Sequence, residues 1–258
     1  MVKTFHQFSG NHPIAIVTGG ARRVGAAICR ALAAAGCDIA LTYRTSADEA
    51  SQLVHELAST GAAATCLQLD LGVAAEVEAF IQAIKADAPR LDVIVHNASR
   101  YHPTPLDSIS QADLRSFIEI NALSPACLSA SLAPMLGQSP LPGGGAIIAM
   151  GDIHAMGRPR KDFLAYSMSK AAITEMVQSL AVDLAPAIRV NGVAPGVVAF
   201  PEHGFESDPE MQQAYLRRVP LGRSGTPEDA AEVVRWLALD ATYLTGEILR
   251  VDGGRWLR

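Results

Sequence analysis

Tyr166 and Lys170 stand four residues apart in a segment of helical period over about 163–184. Residues at i and i+4 share one face of a helix, so the phenol and the ammonium group are expected side by side. A free tyrosine has a pKa of about 10, and a nearby positive charge favours its phenolate. Positioned proton transfer typically raises a rate by ~10²–10⁴-fold. The pair therefore indicates acid–base chemistry, although this spacing also occurs by chance in many helices.

A glycine-rich turn follows the first apolar run, in the sequence Thr18-Gly19-Gly20-Ala21-Arg22-Arg23-Val24-Gly25. A turn of this kind between a strand and a helix lets backbone amides approach a diphosphate, assisted by the helix dipole. Its spacing is not GxGxxG, so the turn alone is equally compatible with a purely structural role.

The end of the second predicted strand bears on the choice of cofactor. A site that prefers NAD places Asp or Glu there to bind the ribose 2′-hydroxyl. This chain has Tyr43-Arg44-Thr45-Ser46, and its first acid, Asp48, already lies in the next helix. A guanidinium group beside hydroxyls matches a 2′-phosphate, so Arg44 together with the glycine turn favours NADPH. Arg44 by itself is also compatible with an ordinary surface arginine.

The elements that position these residues alternate along the chain. Apolar runs predict strands over 13–17, 38–43, 63–69, 92–97, 146–150, 189–193 and 248–251. Helical periodicity predicts helices over about 23–35, 47–59, 74–87, 111–135 and 163–184, and another that opens at Thr226-Pro227-Glu228 with Thr226 as its N-cap. This alternation predicts one α/β domain, a doubly wound parallel sheet of seven strands with helices on both faces. Ligands of such sheets bind beyond the carboxyl ends of the strands.

Composition excludes several classes of protein. The 258 residues are 49% hydrophobic and 18% charged, which argues against disorder. A net charge of −5 argues against general nucleic-acid binding. No charged residue occurs from Ile120 to Gly151, but prolines and glycines break this run, so it is not a membrane helix. The four cysteines lack metal-ligand spacing and an export signal, which predicts reduced thiols in a cytoplasmic protein without a metal.

Several motifs occur together in the order and approximate spacing of the short-chain dehydrogenases/reductases. They are the glycine turn, His96-Asn97-Ala98-Ser99, Asn121, Tyr166 with Lys170, Pro195-Gly196 and Asp252-Gly253-Gly254. Residues 13–258 resemble this family, and residues 1–12 form an N-terminal extension. The resemblance implies a Rossmann-type domain, a nicotinamide cofactor and, usually, a homotetramer.

The resemblance also implies which residues contact the cofactor. They are Gly19, Arg22, Arg23, Val24, Gly25, Tyr43, Arg44, Thr45, Ser46, Asp70, Leu71, Asn97, Ala98, Ser99, Tyr166, Lys170, Pro195, Gly196 and Val198. Among these, Asp70 is expected near the adenine amine and Asn97 near the adenosine ribose. Asn121 is expected to support a water linked to Lys170. A substrate lid is expected over about 200–218, with His203, Phe205 and Glu206.

Two departures from the family pattern narrow the substrate. Arg23 replaces the middle glycine of the family signature TGxxxGxG, and Asp152 best matches the position of the catalytic serine. Both departures resemble pteridine reductases and dihydromonapterin reductases, as do the segment 97–105 and the tail 252–258. This subgroup resemblance implies NADPH-dependent reduction of a dihydropterin, of the dihydromonapterin, dihydrobiopterin or dihydrofolate type.

The expected pterin contacts follow from this resemblance. Tyr101 would cover one face of the flat ring, Ser99 would bond its edge, and Arg23 would bridge the diphosphate and the pterin. Reduction of a ring C=N bond needs hydride at carbon and a proton at nitrogen. Asp152 beside Tyr166 would orient the phenol and feed its proton.

Two other functions remain open at this stage. An ordinary carbonyl or 3-oxoacyl reductase is disfavoured by Asp152, and a non-catalytic NADPH-binding sensor is disfavoured because both Tyr166 and Lys170 are present. A face of small residues in the uncharged run is expected to pack against a neighbouring subunit; its members are Ala126, Ser129, Ala130 and Ala133.

Overall fold

The computed structural model describes residues 5–200 and 207–258, whose strands form one parallel sheet in the order β3-β2-β1-β4-β5-β6-β7. The strands are β1 (Ile14–Val17), β2 (Asp38–Tyr43), β3 (Ala64–Gln68), β4 (Val93–His96), β5 (Gly145–Met150), β6 (Ile188–Pro195) and β7 (Ile248–Val251). Because β1 and β4 are neighbours, the chain reverses its direction of winding between them, which opens a crevice at their carboxyl ends. The predicted α/β class and its seven strands are confirmed.

Helices cover both faces of the sheet. They are α1 (Arg23–Ala34), α2 (Ala47–Ser59), α3 (Ala74–Asp87), α4 (Gln111–Ile118), α5 (Ser124–Leu136), α6 (Leu164–Leu184), α7 (Pro209–Leu216) and α8 (Pro227–Leu239). One apolar cluster joins α1, α2 and α8 to the sheet, and a second joins α3, α5 and α6 to the opposite face. Thr226 caps α8 as predicted, since its hydroxyl accepts a hydrogen bond from the backbone N–H of Asp229 at 3.2 Å.

The predicted continuous helix over 111–135 is wrong in one respect. A single π-helical turn, Glu119–Leu123, separates α4 from α5. Pro125 contributes to this break because it has no N–H for the carbonyl of Asn121, four residues earlier. Turns of this type widen the helix locally and often occur at functional sites, and this one carries Asn121.

The predicted face of small residues is not a single exposed surface. Ser129 is fully buried, and its hydroxyl lies 2.7 Å from Nε2 of His96 on β4. Ala130 is exposed, whereas Ala126 and Ala133 are half-buried. This face of α5 therefore packs partly on its own sheet. The expected subunit contact is wrong for Ser129 and stays a prediction for Ala126, Ala130 and Ala133.

The N-terminal residues that the structure describes pack onto the domain. Phe5 and Phe8 are buried in the second apolar cluster, and the side-chain amide of Gln7 donates to the carbonyl of Ala64 at 2.7 Å. Within the described ranges, no helix combines the length and the apolar character that a bilayer crossing requires.

Candidate active site

A cleft of about 640 Å³ lies at the carboxyl ends of β1, β2 and β4. The glycine turn forms its floor, with Gly19 at φ +62°. A Cβ atom added to Gly25 would lie 2.2 Å from the carbonyl oxygen of Gly19 and 2.7 Å from Nδ2 of Asn97. Only glycine fits there, so the backbone itself forms the surface that a ligand would approach.

Asn97 holds the turn in this shape. Its side-chain amide donates to the carbonyl oxygens of Thr18 at 3.0 Å and Gly19 at 2.9 Å. The hydroxyl of Thr18 in turn accepts the backbone N–H groups of Asn97 and Ala98. The side-chain nitrogen of Asn97 is thus used to fix the turn, and its approach to the adenosine ribose stays a prediction.

The cleft has the electrostatic character that a dinucleotide phosphate requires. The N-cap residue of α1, Arg22, makes no side-chain capping bond, and the first turn of α1 contains no acidic residue. The first backbone N–H groups of this helix are therefore not neutralised by a side chain of the turn. Arg44 follows the last residue of β2 and lines the same cleft, beside Thr45 and Ser46. These donors fit a diphosphate and a 2′-phosphate.

Most of the predicted cofactor residues line this one cleft. They are Gly19, Arg22, Arg23, Val24, Gly25, Tyr43, Arg44, Thr45, Ser46, Asp70, Leu71, Asn97, Ala98 and Ser99. The cleft wall does not include Pro195, Gly196 and Val198, at the carboxyl end of β6, nor Tyr166 and Lys170 on α6. The ring of Tyr166 contacts that of Tyr101, which does line the cleft.

Arg23 adopts an unexpected arrangement. Its φ of +51° lies in the left-handed region, which favours the glycine that the family signature has at this position. One guanidinium nitrogen donates to the carbonyl oxygens of Ala199 at 2.7 Å and Phe200 at 3.2 Å. The side chain therefore connects the glycine turn to the segment after β6, and a bridge to a pterin stays a prediction.

Asp152 and Tyr166 form a direct pair. The Tyr166 hydroxyl donates to Oδ2 of Asp152 at 2.7 Å, while Oδ1 accepts the backbone N–H of His154 at 2.7 Å. Burial, and then the charge of Asp152, raise the pKa of Tyr166 well above its usual value. This direction is opposite to the one expected from Lys170 alone. Tyr166 is consequently a phenol at neutral pH, which is the state that can donate a proton.

Lys170 is buried behind this pair. Its Nζ donates to the carbonyl oxygen of Met150 at 2.7 Å and lies 5.9 Å from the centroid of the Tyr166 ring. Burial lowers the pKa of Lys170 to about 8, although the charge of Asp152 acts in the opposite direction. Burial thus makes the charged form of Lys170 unfavourable in the folded protein.

Replacing Lys170 with methionine is expected to stabilise the fold by up to about 3 kcal/mol at pH 7, since a pKa lowered from 10.5 to about 8 disfavours the charged folded state. Between pH 8 and 10.5 the unfolded chain binds more protons at Lys170, so the native protein gains stability as the pH rises. The advantage of the variant is therefore greatest below pH 8 and disappears toward pH 10.5. Denaturant unfolding across this range tests it, with the exposed Lys161 replaced by methionine as the control.

Asn121 organises the neighbouring backbone. Its Oδ1 accepts the N–H of Arg100 at 2.7 Å, and its Nδ2 donates to the Arg100 carbonyl at 3.0 Å and the Ser169 hydroxyl at 2.9 Å. Ser169 precedes Lys170 on α6. The π-helical turn thus ties the segment after β4 to the helix that carries Tyr166, whereas a water between Asn121 and Lys170 stays a prediction.

An aromatic cluster forms the wall beside Tyr166. The rings of Tyr101 and Tyr166 meet edge-on with centroids 4.9 Å apart, and Phe163 lies 5.2 Å from Tyr101. Arg160 donates to the Tyr101 hydroxyl at 2.6 Å, and its guanidinium carbon lies 4.3 Å from the centroid of Phe163. Sequence reasoning named Tyr101 but missed Phe163 and Arg160, which have no motif to mark them.

The segment expected to form a lid is described only in part. His203, Phe205 and Glu206 lie outside the described residues. From residue 207 onward the chain forms α7, whose N-cap Asp208 accepts the backbone N–H groups of Glu210 and Met211. Tyr215 on this helix accepts the N–H of Val197 at 3.1 Å, which joins α7 to the end of β6.

This architecture defines the class of the protein. A doubly wound parallel sheet, a glycine turn at its crevice and a buried tyrosine–lysine pair are the features of a Rossmann-type, nucleotide-dependent oxidoreductase. A family model described as Enoyl-(Acyl carrier protein) reductase matches residues 19–255. The chain belongs to the short-chain dehydrogenase/reductase family.

Relatives of this family match almost the whole chain. The 3-oxoacyl-[acyl-carrier-protein] reductase of Synechocystis sp. is 33% identical over 93% of this chain and 96% of its own length. The 3beta-hydroxysteroid dehydrogenase 1 of Eggerthella lenta is 32% identical over 94% of this chain and 93% of its own. A blue fluorescent protein from a metagenomic library, solved in complex with NADPH, is 36% identical with a TM-score of 0.84, covering 94% of this chain and 97% of its own. None of these three is described as a pterin reductase.

Proposed function

We propose that this oxidoreductase reduces a dihydropterin to its tetrahydro form with NADPH, the substrate being of the dihydromonapterin, dihydrobiopterin or dihydrofolate type. The observation that carries the proposal is the hydrogen bond of 2.7 Å from the Tyr166 hydroxyl to Asp152. A carboxylate thus stands beside the proton donor, where the family pattern has a serine hydroxyl.

The difference between a carboxylate and a hydroxyl affects which substrate fits. A serine hydroxyl can donate a hydrogen bond to a carbonyl oxygen, whereas an ionised carboxylate only accepts hydrogen bonds and repels the partial negative charge of that oxygen. A pterin has an amino group and ring N–H groups along its edge, and such donors suit a carboxylate. Asp152 is half-buried, and a hydrogen bond is stronger where water is partly excluded. The preference of its carboxylate for N–H donors is therefore strengthened there.

The reaction adds hydride to a ring carbon and a proton to the neighbouring nitrogen. NADPH, when bound, supplies the hydride. Tyr166 is held as a neutral phenol and donates the proton. Asp152 orients its hydroxyl and lies on the path by which a replacement proton reaches it. The buried ammonium of Lys170, 5.9 Å from the centroid of the Tyr166 ring, favours the phenolate that forms transiently.

The preference for NADPH is proposed to depend on Arg44. Replacing Arg44 with alanine is expected to raise the KM for NADPH about 10- to 100-fold, because a charge-assisted bond to the 2′-phosphate is lost. The KM for NADH should change little, since NADH lacks that phosphate, and it serves as the internal control. If the alanine variant still preferred NADPH over NADH to the same degree, the assignment of Arg44 would be refuted.

A 3-oxoacyl or other carbonyl reductase is the second candidate, and the relatives support it. Enzymes described as 3-oxoacyl-[acyl-carrier-protein] reductases from Synechocystis sp. and Staphylococcus aureus are 33% and 32% identical to this chain. Asp152 is the feature that argues against it. The presence of both Tyr166 and Lys170 argues against a non-catalytic sensor. The homotetramer stays a prediction from the family resemblance.

The decisive experiment is NADPH oxidation with a panel of substrates. Dihydrobiopterin, dihydromonapterin and dihydrofolate are compared with a 3-oxoacyl thioester and simple ketones. We expect at least one dihydropterin to be turned over well above the rate measured with the carbonyl compounds. Good ketone turnover with no activity on any pterin would replace the proposal by the second candidate.

A further inference from the structure

A second cavity, of about 690 Å³, includes His154 in its lining, two residues after Asp152. Its walls come from the loop after β5, the segment after β6, helix α7 and the residues that follow β7. The chemistry described so far uses none of the cationic side chains of this cavity, apart from the contact of Arg160 with Tyr101.

The cavity concentrates positive charge in a protein whose net charge is −5. Five of its lining residues carry a permanent or nearly permanent positive charge, namely Arg158, Arg160, Lys161, Arg218 and Arg255. Among the described residues that line it, none is Asp or Glu. Such a grouping produces a positive potential that attracts anions, because the protein walls screen the charges less than bulk water does.

Arg255 provides a second, independent observation. It is only 7% exposed, and its Nε is buried without a hydrogen-bond partner among the described residues. Burial, and then the charges of Arg158 and Arg218, lower the pKa of Arg255. Arg158 and Arg255 both donate to the main-chain oxygen of Arg258 through Nη1, and neither bond involves the Nε of Arg255. A buried charged group with an unused donor is costly, so the bonding of Arg255 in the wall of the cavity is incomplete.

Two residues that line the cavity form hydrogen bonds to Asp152 and Tyr101. Its residue His154 donates its backbone N–H to Asp152, and its residue Arg160 donates to the Tyr101 hydroxyl at 2.6 Å. The Tyr101 ring in turn contacts Tyr166. A substrate whose reacting ring lies beside Tyr166 and Tyr101 would therefore direct its side chain into this cavity.

We propose that the cavity binds an anionic group on the side chain of the substrate, either a carboxylate or a phosphate. This inference rests on the proposed function and narrows it to dihydropterins with a negatively charged side chain, such as dihydrofolate or a dihydropterin phosphate ester. Phe200, Met211 and Tyr215 supply an apolar wall beside the cations. That combination suits the aromatic ring and the two carboxylates of the dihydrofolate side chain better than a neutral polyol.

The test compares charged and neutral substrates in wild-type protein and in the double variant Lys161→Gln/Arg218→Gln. Both residues are exposed, so the fold should tolerate their replacement. The KM for dihydrofolate and for dihydroneopterin phosphate is expected to rise about tenfold, since each exposed charge contributes a few-fold in affinity. The KM for dihydrobiopterin should stay within about twofold. Comparing the two charged substrates shows whether carboxylate or phosphate is preferred.

Arg217→Gln is the matched control, because Arg217 is exposed, adjacent to Arg218 and not part of the cavity lining. It removes the same charge and should leave every KM unchanged. If the double variant affected charged and neutral dihydropterins equally, or affected neither, the anion site would be overturned while the proposed function stood.

A binding measurement keeps the two proposals separable. Calorimetric titration of the NADPH complex with N-(4-aminobenzoyl)glutamate, the side-chain fragment of folate, needs no turnover. Binding to wild-type protein that weakens about tenfold in the double variant, but not in Arg217→Gln, supports the anion site even if no dihydropterin is reduced. Absence of binding to the wild-type protein, together with equal KM values for charged and neutral substrates, would overturn it.

Discussion

Replacing Tyr166 with phenylalanine is expected to lower turnover at least ~100-fold and to leave the fold intact. The substitution removes one hydroxyl. Among the described residues, this hydroxyl is the only side-chain group shown to donate a hydrogen bond to Asp152. The ring that remains still packs against Tyr101, Phe117 and Phe163. Loss of activity should therefore come from the missing proton and not from unfolding.

The measurement is NADPH oxidation with a saturating substrate, alongside NADPH binding followed by fluorescence. Binding should change only a few-fold, because Tyr166 does not line the cleft that is proposed to hold the phosphates. Tyr243→Phe is the matched control, since Tyr243 is fully exposed and far along the chain from the site. A Tyr166→Phe variant that kept more than a tenth of the wild-type turnover would remove the phenol from the mechanism.

The second large effect is expected at Asp152. The Asp152→Ser variant should reduce dihydropterins about 10- to 100-fold more slowly, because the carboxylate that orients Tyr166 and accepts substrate N–H groups is lost. The same variant should gain activity on ketones or a 3-oxoacyl thioester, since a serine hydroxyl can donate to a carbonyl oxygen. Steady-state kinetics on both substrate classes measure this exchange of specificity.

A titration separates this role from a purely structural one. The charge of Asp152 and its hydrogen bond both raise the pKa of Tyr166, so the Asp152→Ser variant should ionise Tyr166 at lower pH than the wild type. Asp152→Asn is the matched control, because it keeps the shape of the side chain and one oxygen acceptor but removes the charge. It therefore separates the effect of the charge on Tyr166 from the effect of the hydrogen bond. Undiminished pterin turnover in Asp152→Ser would exclude Asp152 from the reaction and leave carbonyl reduction as the better reading.

The regular elements were predictable from local pattern. Strands that are buried on both faces must be continuously apolar, and Ile14-Ala15-Ile16-Val17 and Ala146-Ile147-Ile148-Ala149 meet this requirement. Their predicted ends are correct to within one or two residues. The π-helical turn at Glu119–Leu123 was missed, because its cause lies partly in contacts of Asn121 with Arg100 and Ser169, which are distant in sequence.

The candidate site was predictable where short motifs carry it. The glycine turn, Arg44 and the pair of Tyr166 and Lys170 are visible in the chain because the spacing that positions them is local. Arg160 and Arg218 carry no motif, Arg255 lies in a tail that was noted only for its resemblance to a subgroup, and the fold brings the three together from separate segments. Their common cavity could not be found before those segments were placed.

The amino-acid sequence alone predicted the sheet, the residues of the glycine-turn cleft and the acidic residue at position 152 as a candidate for the site. Each depends on apolar periodicity or on residues close together in the chain. Only the tertiary structure decided the protonation of Tyr166, because burial and the approach of Asp152 raise its pKa against the effect expected from Lys170. It also decided the position of Arg23 on the segment after β6 and the clustering of cations beside the site. Electrostatics depend on distance and burial in space, and neither quantity can be obtained from the order of residues.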